Sequence, residues 1–182
     1  MKYVEPIRSK QQIEAVKSYL KKRNLRDWLL FVLGINSGLR ISDLLLLKIS
    51  DVKAKDRIVI REMKTGKIKD FPLSLTCKKT INEYLTSIHN ESEWLFKSQK
   101  GDQPITRIQA YRIMNKAACA VGIKEAIGTH TLRKTFGYWA YKSGVDITRI
   151  QKLLNHSAPS VTLAYIGITK DELDNIYINL NL

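Results

Sequence analysis

Apolar residues recur with helical spacing along most of this chain, and one charged stretch alternates instead. After an extended lead-in over residues 1–8, Ser9 and Gln12 form a capping box, and Ile13, Val16 and Leu20 make one apolar face. Lys21, Lys22 and Arg23 complement the dipole at that helix's end. A second helix, Leu25 to Ser37, is apolar nearly all round (Trp28, Leu29, Leu30, Phe31, Val32, Leu33, Ile35), which predicts a buried spine ending at Gly38. Ser42 is the expected cap of a short Leu-rich helix with Asp43 in its first turn. From Arg57 to Met63 the pattern alternates, with Ile58 and Ile60 on one face and Val59 and Arg61 on the other. Lys64-Thr65-Gly66-Lys67 supplies a turn, and Ile68 to Leu73 returns as a second strand, Pro72 marking an edge.

Helical spacing then resumes. Thr76 to Ile88 is a predicted helix with Ile81, Leu85 and Ile88 inward, followed by His89, a non-catalytic imidazole suited to a helix end. Trp94-Leu95-Phe96 is a short buried segment, and Ser98 to Pro104 a polar turn. Thr106 to Val121 is a helix with Ile108, Tyr111, Met114, Ala118 and Val121 inward and Gly122 as its cap. Thr129 is the expected cap of the next helix, which Gly144 closes. Asp146 caps another, with Ile147, Ile150, Leu153 and Leu154 apolar, and Ser160 a short one bearing Tyr165. Thr169 and Glu172 open a last amphipathic helix with Leu173, Ile176, Tyr177 and Leu180. No repeat, linker or low-complexity run divides the chain, so residues 1–182 read as one domain.

Composition narrows the function classes. With 44% hydrophobic and 26% charged residues, 182 residues form a folded domain with a real core. Thirty-one Lys and Arg against 17 Asp and Glu give a net charge of +14, which favours a polyanionic partner through counterion release. The basic residues are spread along the chain rather than along one amphipathic helix, which disfavours a membrane surface. Trp28 to Gly34, the longest apolar run, is too short to span a bilayer. With no apolar leader after the start, the expectation is a cytoplasmic, nucleoid-associated protein. Cys77 and Cys119 read as small hydrophobes in a reducing compartment. No His-x-x-x-His or Cys-x-x-Cys spacing predicts a metal site, and no Gly-x-x-x-x-Gly-Lys loop predicts nucleotide hydrolysis.

The candidate chemistry lies in three places. His130 and Arg133 share a helical face at i, i+3. Leu154-Asn155-His156 follows, with Tyr165 nine residues beyond His156. Upstream, Gly38-Leu39-Arg40 ends the apolar spine with Asp43 three residues on, although Arg40 by itself could be a surface arginine beside a cap. The histidines, Arg133 and Tyr165 are each expected near a helix end, where backbone N–H groups favour an anion. Guanidinium is permanently charged and forks onto phosphate, while a tyrosine, with an unperturbed pKa of about 10, needs help to lose its proton. Of eight tyrosines, Tyr138 and Tyr141 lie two turns or more beyond Arg133 and Tyr177 lies in the tail, whereas Tyr165 has a short tether to His156.

The ordered set His-x-x-Arg, Leu-x-His and Tyr, with Gly-Leu-Arg-x-x-Asp upstream, resembles the tyrosine recombinase (phage integrase) family, over nearly the whole chain as its catalytic domain. The resemblance implies a mainly α fold with a small antiparallel β-sheet (α+β). It implies that Arg40, Arg133 and His156 hold a scissile DNA phosphate, and that Asp43, shorter than the Glu of many relatives, supports them. Tyr165 would attack to give a 3′-phosphotyrosine, with His130 as base or phosphate ligand. Lys64, in Met-Lys-Thr-Gly, would protonate the leaving 5′ oxygen, with Lys67 in reserve. Lys67, Lys69, Arg107 and Arg112 are candidate DNA contacts. No cofactor or metal is implied. The implied partners are double-stranded DNA, further protomers in a tetramer on paired sites, and accessory DNA-bending proteins. Residues 169–182 would form a tail helix docking on a neighbouring protomer or in cis. A start close to the catalytic domain resembles short members such as the recombinases that invert fimbrial promoter segments. Two rival expectations are a type IB topoisomerase with the same chemistry and a catalytically idle DNA-binding module.

Overall fold

A computed structural model describes residues 4–88 and 92–168 and, in the tail, residues 172, 174, 178 and 179. The expectations for His89, Tyr177 and the tail helix of Leu173, Ile176 and Leu180 fall outside the described residues. The elements are α1 (Lys10–Arg23), α2 (Leu25–Ser37), α3 (Ile41–Leu45), β1 (Arg57–Arg61), β2 (Ile68–Pro72), α4 (Leu75–Ser87), α5 (Arg107–Ala120), α6 (Thr129–Lys142), α7 (Ile147–Leu153) and α8 (Pro159–Ile166). The fold is thus mainly α with one two-stranded antiparallel sheet, Arg57 opposite Pro72 and Arg61 opposite Ile68. Among the described residues no helix is long and apolar enough to cross a membrane.

The apolar spine α2 is central because it has no polar face to give to water. Leu29, Leu30, Val32 and Leu33 are fully buried, and α1, α4 and α6 pack around them. At Gly34 the backbones of α2 and α6 come so close that an added Cβ would stand 2.6 Å from Leu132 Cδ1 and 3.0 Å from Leu132 Cβ. A smaller core of Ile150, Leu154 and Ile166, backed by Phe136, Ala140 and Tyr165, seats α7 and α8 on α6. The lead-in is strapped to α6: Ile7 N–H donates to Thr135 Oγ1 at 2.9 Å, and Trp139 Nε1 donates to the Ile7 carbonyl at 2.9 Å.

Ser9 and Asp146 cap α1 and α7 as their positions predict. Three other helices start one or two residues earlier than expected. Gly38, at φ +59°, ends α2 so abruptly that Arg40 is already extended and takes the cap position of α3, leaving Ser42 inside. Gly128, not Thr129, precedes α6, and its N–H donates to Thr131 Oγ1 at 3.0 Å. Pro159 occupies the first position of α8, where its missing N–H costs nothing, so Ala158 and not Ser160 flanks that helix. The inner face of α5 is also rotated: Ala110, Met114, Ala117 and Ala118 are buried, while Ile108 is 63% and Tyr111 49% exposed. Small alanines at the contact let α5 lie close to its neighbours, which turns the larger apolar side chains outward. On α4 the buried residues are Cys77, Thr80, Ile81 and Tyr84, with Leu85 and Ile88 only partly buried, and Leu153 on α7 is exposed.

Gly34→Ala should destabilise the domain by about 1–3 kcal/mol, because Leu132 cannot withdraw its Cβ without moving α6. A denaturant midpoint lowered at unchanged slope is the expected readout; an unchanged midpoint would show that the two helices have room to separate.

Candidate active site

The site is assembled where α2 and α7 end. Arg133, 3% exposed on α6, donates through Nη1 to the Gly38 carbonyl at 2.7 Å and through Nη2 to the Leu154 carbonyl. Lys69 on β2 works beside it: Nζ donates to the carbonyls of Ser37 (3.2 Å), Gly38 (3.4 Å) and Leu153 (3.2 Å). Helix C-terminal carbonyls carry partial negative charge and lack intrahelical partners, so these two cations satisfy both ends at once. Burial and the neighbouring Arg133 charge lower the Lys69 pKa to about 8. Arg40 lies two residues past Gly38, and His156 two residues past Leu154, so both are delivered to one place.

Two buried carboxylates, Glu62 and Asp43, answer these cations. Glu62, fully buried just beyond β1, pairs through Oε2 with Arg40 Nη1 at 2.8 Å and accepts from Thr65 Oγ1 at 2.7 Å and Asn155 Nδ2 at 2.8 Å. Burial alone would raise its carboxyl, but the hydrogen bonds from Thr65, Arg40 and Asn155 outweigh that and hold its pKa below the ordinary value. Asp43, also buried, accepts the Met63 N–H at 3.0 Å and so ties α3 to the hairpin turn. Asn155 adopts φ +48°, a left-handed turn that asparagine tolerates, between α7 and His156.

The aromatic members face each other. The His156 and Tyr165 rings lie 4.8 Å apart at 73°, and His156 Nδ1 is 3.1 Å from Thr162 Oγ1. The Tyr165 hydroxyl is 3.4 Å from His130 Nδ1. Lys134 Nζ stands 5.3 Å from the Tyr165 ring centre. Burial raises the Tyr165 pKa, a shift that the Arg133 and Arg40 charges only partly oppose. Burial together with Arg133 and Arg40 pushes His156 down to about 4, and burial with Arg107, Arg133, Lys134 and Lys64 lowers His130. Both imidazoles are therefore neutral at pH 7, and His130 can accept a proton from the adjacent phenol.

The structure thus brings Arg40, His130, Arg133, His156 and Tyr165 together, with Asp43 beneath. Lys64 is exposed on the hairpin turn, and its charge reaches His130. Lys67 is exposed on the same turn, and Arg107 and Arg112 on α5; Arg107 lines a groove of about 1040 Å³ that also touches Val4, Tyr111, His130, Lys134 and Tyr165. Two expectations change. Lys69 is not a surface DNA contact: its amine is buried and fully engaged with backbone carbonyls. Tyr165 sits in the last turn of α8, before Gly167, and not at an N–H-rich helix start as His130 does. Glu62 and Lys134 belong to no motif in the sequence, although Glu62 continues the inward parity of Ile58 and Ile60, and Asn155 enters only as the middle residue of Leu154-Asn155-His156. Among the described residues no three His, Cys, Asp or Glu side chains converge as a metal site.

The neutral His156 has a consequence for stability. Between its unfolded pKa of about 6.5 and its folded value of about 4, the unfolded chain binds the proton first. Stability should therefore be complete above about pH 6.5 and fall as pH drops towards 4. His156→Gln should flatten that fall in denaturant titrations; an identical slope in the variant would place the titration elsewhere.

Comparison with known proteins agrees with this geometry. The phage integrase family profile matches residues 7–172. The probable integrase/recombinase YoeC of Bacillus subtilis (strain 168) is 52% identical over 171 residues, which cover 94% of this chain and 93% of YoeC. A tyrosine recombinase of Pseudothermotoga lettingae is 37% identical over 153 residues, 82% of this chain but 52% of its own length. The chain therefore spans nearly all of the first relative and about half of the second. A crystal structure of XerA recombinase shares the fold with a TM-score of 0.82 at 22% identity, over 100% of this chain and 67% of that one. The chain belongs to the phage integrase family, the tyrosine recombinases.

Proposed function

We propose that this chain cuts and rejoins double-stranded DNA at specific sites through a covalent 3′-phosphotyrosine. The observation that carries the proposal is the placement of the Tyr165 hydroxyl, 3.4 Å from a neutral His130 and within the field of Arg133 and Arg40. A phosphate at this cluster meets two guanidinium groups that match its non-bridging oxygens and the N–H of His156 as a further donor. Charge accumulating on those oxygens during attack is stabilised by cations already fixed in place. His130 takes the Tyr165 proton, the Tyr165 oxygen bonds to phosphorus, and the bond from phosphorus to the 5′ oxygen breaks. Lys64 gives its proton to that oxygen, Lys67 being the alternative on the same turn. In the return step a 5′-hydroxyl of another strand attacks the phosphotyrosine and releases Tyr165. Exchange between two duplexes needs protomers on both, which supports assembly on paired sites, with accessory DNA-bending proteins a further expectation. Integration, excision and inversion of the fimbrial kind share these steps. Lys67, Arg107 and Arg112 supply backbone contacts outside the reacting centre, and the surplus of +14 supports a polyanionic substrate.

A nicked suicide substrate, which loses its 5′ fragment after cleavage, should leave a DNA adduct on the wild-type chain under denaturing conditions. Tyr165→Phe should abolish the adduct, and Arg40→Ala or Arg133→Ala should slow it by about 10²–10³-fold. DNA binding with no adduct from the wild type would identify an idle binding module. An adduct with relaxation but no recombinant product would identify a topoisomerase.

A further inference from the structure

Glu62 touches three parts of the site at once. It lies two residues before Lys64, and its Oε2 accepts from Thr65, the residue after Lys64, at 2.7 Å. The same oxygen pairs with Arg40 at 2.8 Å and accepts from Asn155, the neighbour of His156, at 2.8 Å. The turn itself is closed by Gly66 N–H donating to the Glu62 carbonyl (2.8 Å) and by Glu62 N–H donating to that of Lys67 (2.9 Å). On the other side of Lys64, Met63 N–H donates to Asp43 at 3.0 Å. Lys64 is exposed, yet both residues flanking it are anchored. Such a carboxylate costs desolvation energy, which its hydrogen bonds and the Arg40 charge offset. A surface hairpin needs no such group to fold, since edges of this kind are ordinarily charged and solvated.

We propose that Glu62 is a positioning residue that registers proton delivery to the phosphate clamp. Its carboxylate holds the Lys64 turn at a fixed distance from Arg40 and from the His156 turn, so that the leaving oxygen and the non-bridging oxygens are met by one rigid unit. The proposal rests on reading Lys64 as the acid in the cleavage step. In that step the bond from Tyr165 Oη to phosphorus forms, the bond from phosphorus to the 5′ oxygen breaks, and the proton passes from Lys64 to the 5′ oxygen. Errors in the position of the donor then slow that proton transfer, as misplacements of about 1 Å cost about 10²-fold elsewhere.

The test compares two suicide substrates, one with the normal 5′ oxygen and one with sulfur in its place. A thiol, with a pKa of about 8.5, leaves as the thiolate and needs no proton, so the sulfur substrate bypasses the acid. Lys64→Ala, slow on oxygen and restored on sulfur, sets the reference. Thr65→Val removes the hydroxyl that donates to Glu62 and accepts the Lys67 N–H at 3.3 Å; it should slow the oxygen substrate by about tenfold or more and leave the sulfur substrate within about twofold. Glu62→Gln should slow both, because Arg40 is loosened too, with the greater loss on oxygen. Equal losses on the two substrates in both variants, or no loss in either, would overturn the proposal. Should Glu62→Gln fail to fold, Thr65→Val, at an exposed position, decides alone. A wild type that forms no adduct with either substrate would overturn the recombinase reading itself; an active wild type with unchanged ratios in the variants overturns only the role of Glu62.

Discussion

Two buried cations bind the carbonyl ends of two helices, and the whole site depends on that contact. Arg133 reaches the Gly38 carbonyl at the end of α2 and the Leu154 carbonyl at the end of α7, and Lys69 reaches the Ser37, Gly38 and Leu153 carbonyls. Helix termini with unsatisfied carbonyls are costly to bury, and positive charge is the group that suits them best. Because each helix end is followed within three residues by Arg40 or His156, satisfying the carbonyls also places these two side chains. Segments more than a hundred residues apart in sequence are thereby brought to one point without a dedicated loop for each.

The same arrangement leaves positive charge in excess. Arg40, Arg133 and Lys69 lie together, and Glu62 is the carboxylate that pairs with one of them directly. Burial and, after it, this excess charge lower the neighbours: Lys69 to about 8, His156 to about 4, and His130 as well. A dianionic or monoanionic oxygen cluster entering this field would relieve it, which is why the site suits a phosphate better than any neutral ligand. The neutral imidazoles are first a product of burial, to which that field adds, and one of them is left able to accept the proton of a phenol whose own pKa burial has raised.

Much of this was legible in the sequence, and what was not has definite causes. The apolar run of α2 could only be buried, and the alternation of Ile58, Val59 and Ile60 could only be a strand. His130, Arg133, His156 and Tyr165 were readable because they sit at fixed short spacings. Lys69 was misread because β2 runs against its own hydrophobicity: Ile68 is 66% exposed, and Lys69, opposite Ile60, turns inward. A lysine in a basic hairpin looks solvated unless the register is known, and register comes from pairing rather than composition. Glu62 was hidden in the same way, one acid among many charges, its parity with Ile60 outweighed by its chemistry. On α5 the small residues Ala110, Ala117 and Ala118 won the contact over Ile108 and Tyr111, since close approach of helices rewards small side chains as well as apolar ones.

The division of burial between the two cores fits the division of labour in the site. Arg40 follows directly on α2, whose side chains are the most deeply packed in the domain, and Arg133 stands on α6, which packs against it. The clamp is therefore held by the main core. Tyr165 instead rides on α8, an eight-residue helix whose buried residues are Thr162 and Ile166. Ile166 packs where Gly137 leaves no room for more than a hydrogen, an added Cβ there standing 2.6 Å from its Cγ2. That tight contact sits within the small core of Ile150, Leu154 and Ile166, which holds α8 on α6 with far fewer buried residues than the main core has. Local stability scales with such buried contacts, so the residue proposed to form and break a bond, Tyr165, is carried by the less strongly anchored element. The two arginines proposed to hold the phosphate are carried by α6 and by the segment that follows α2.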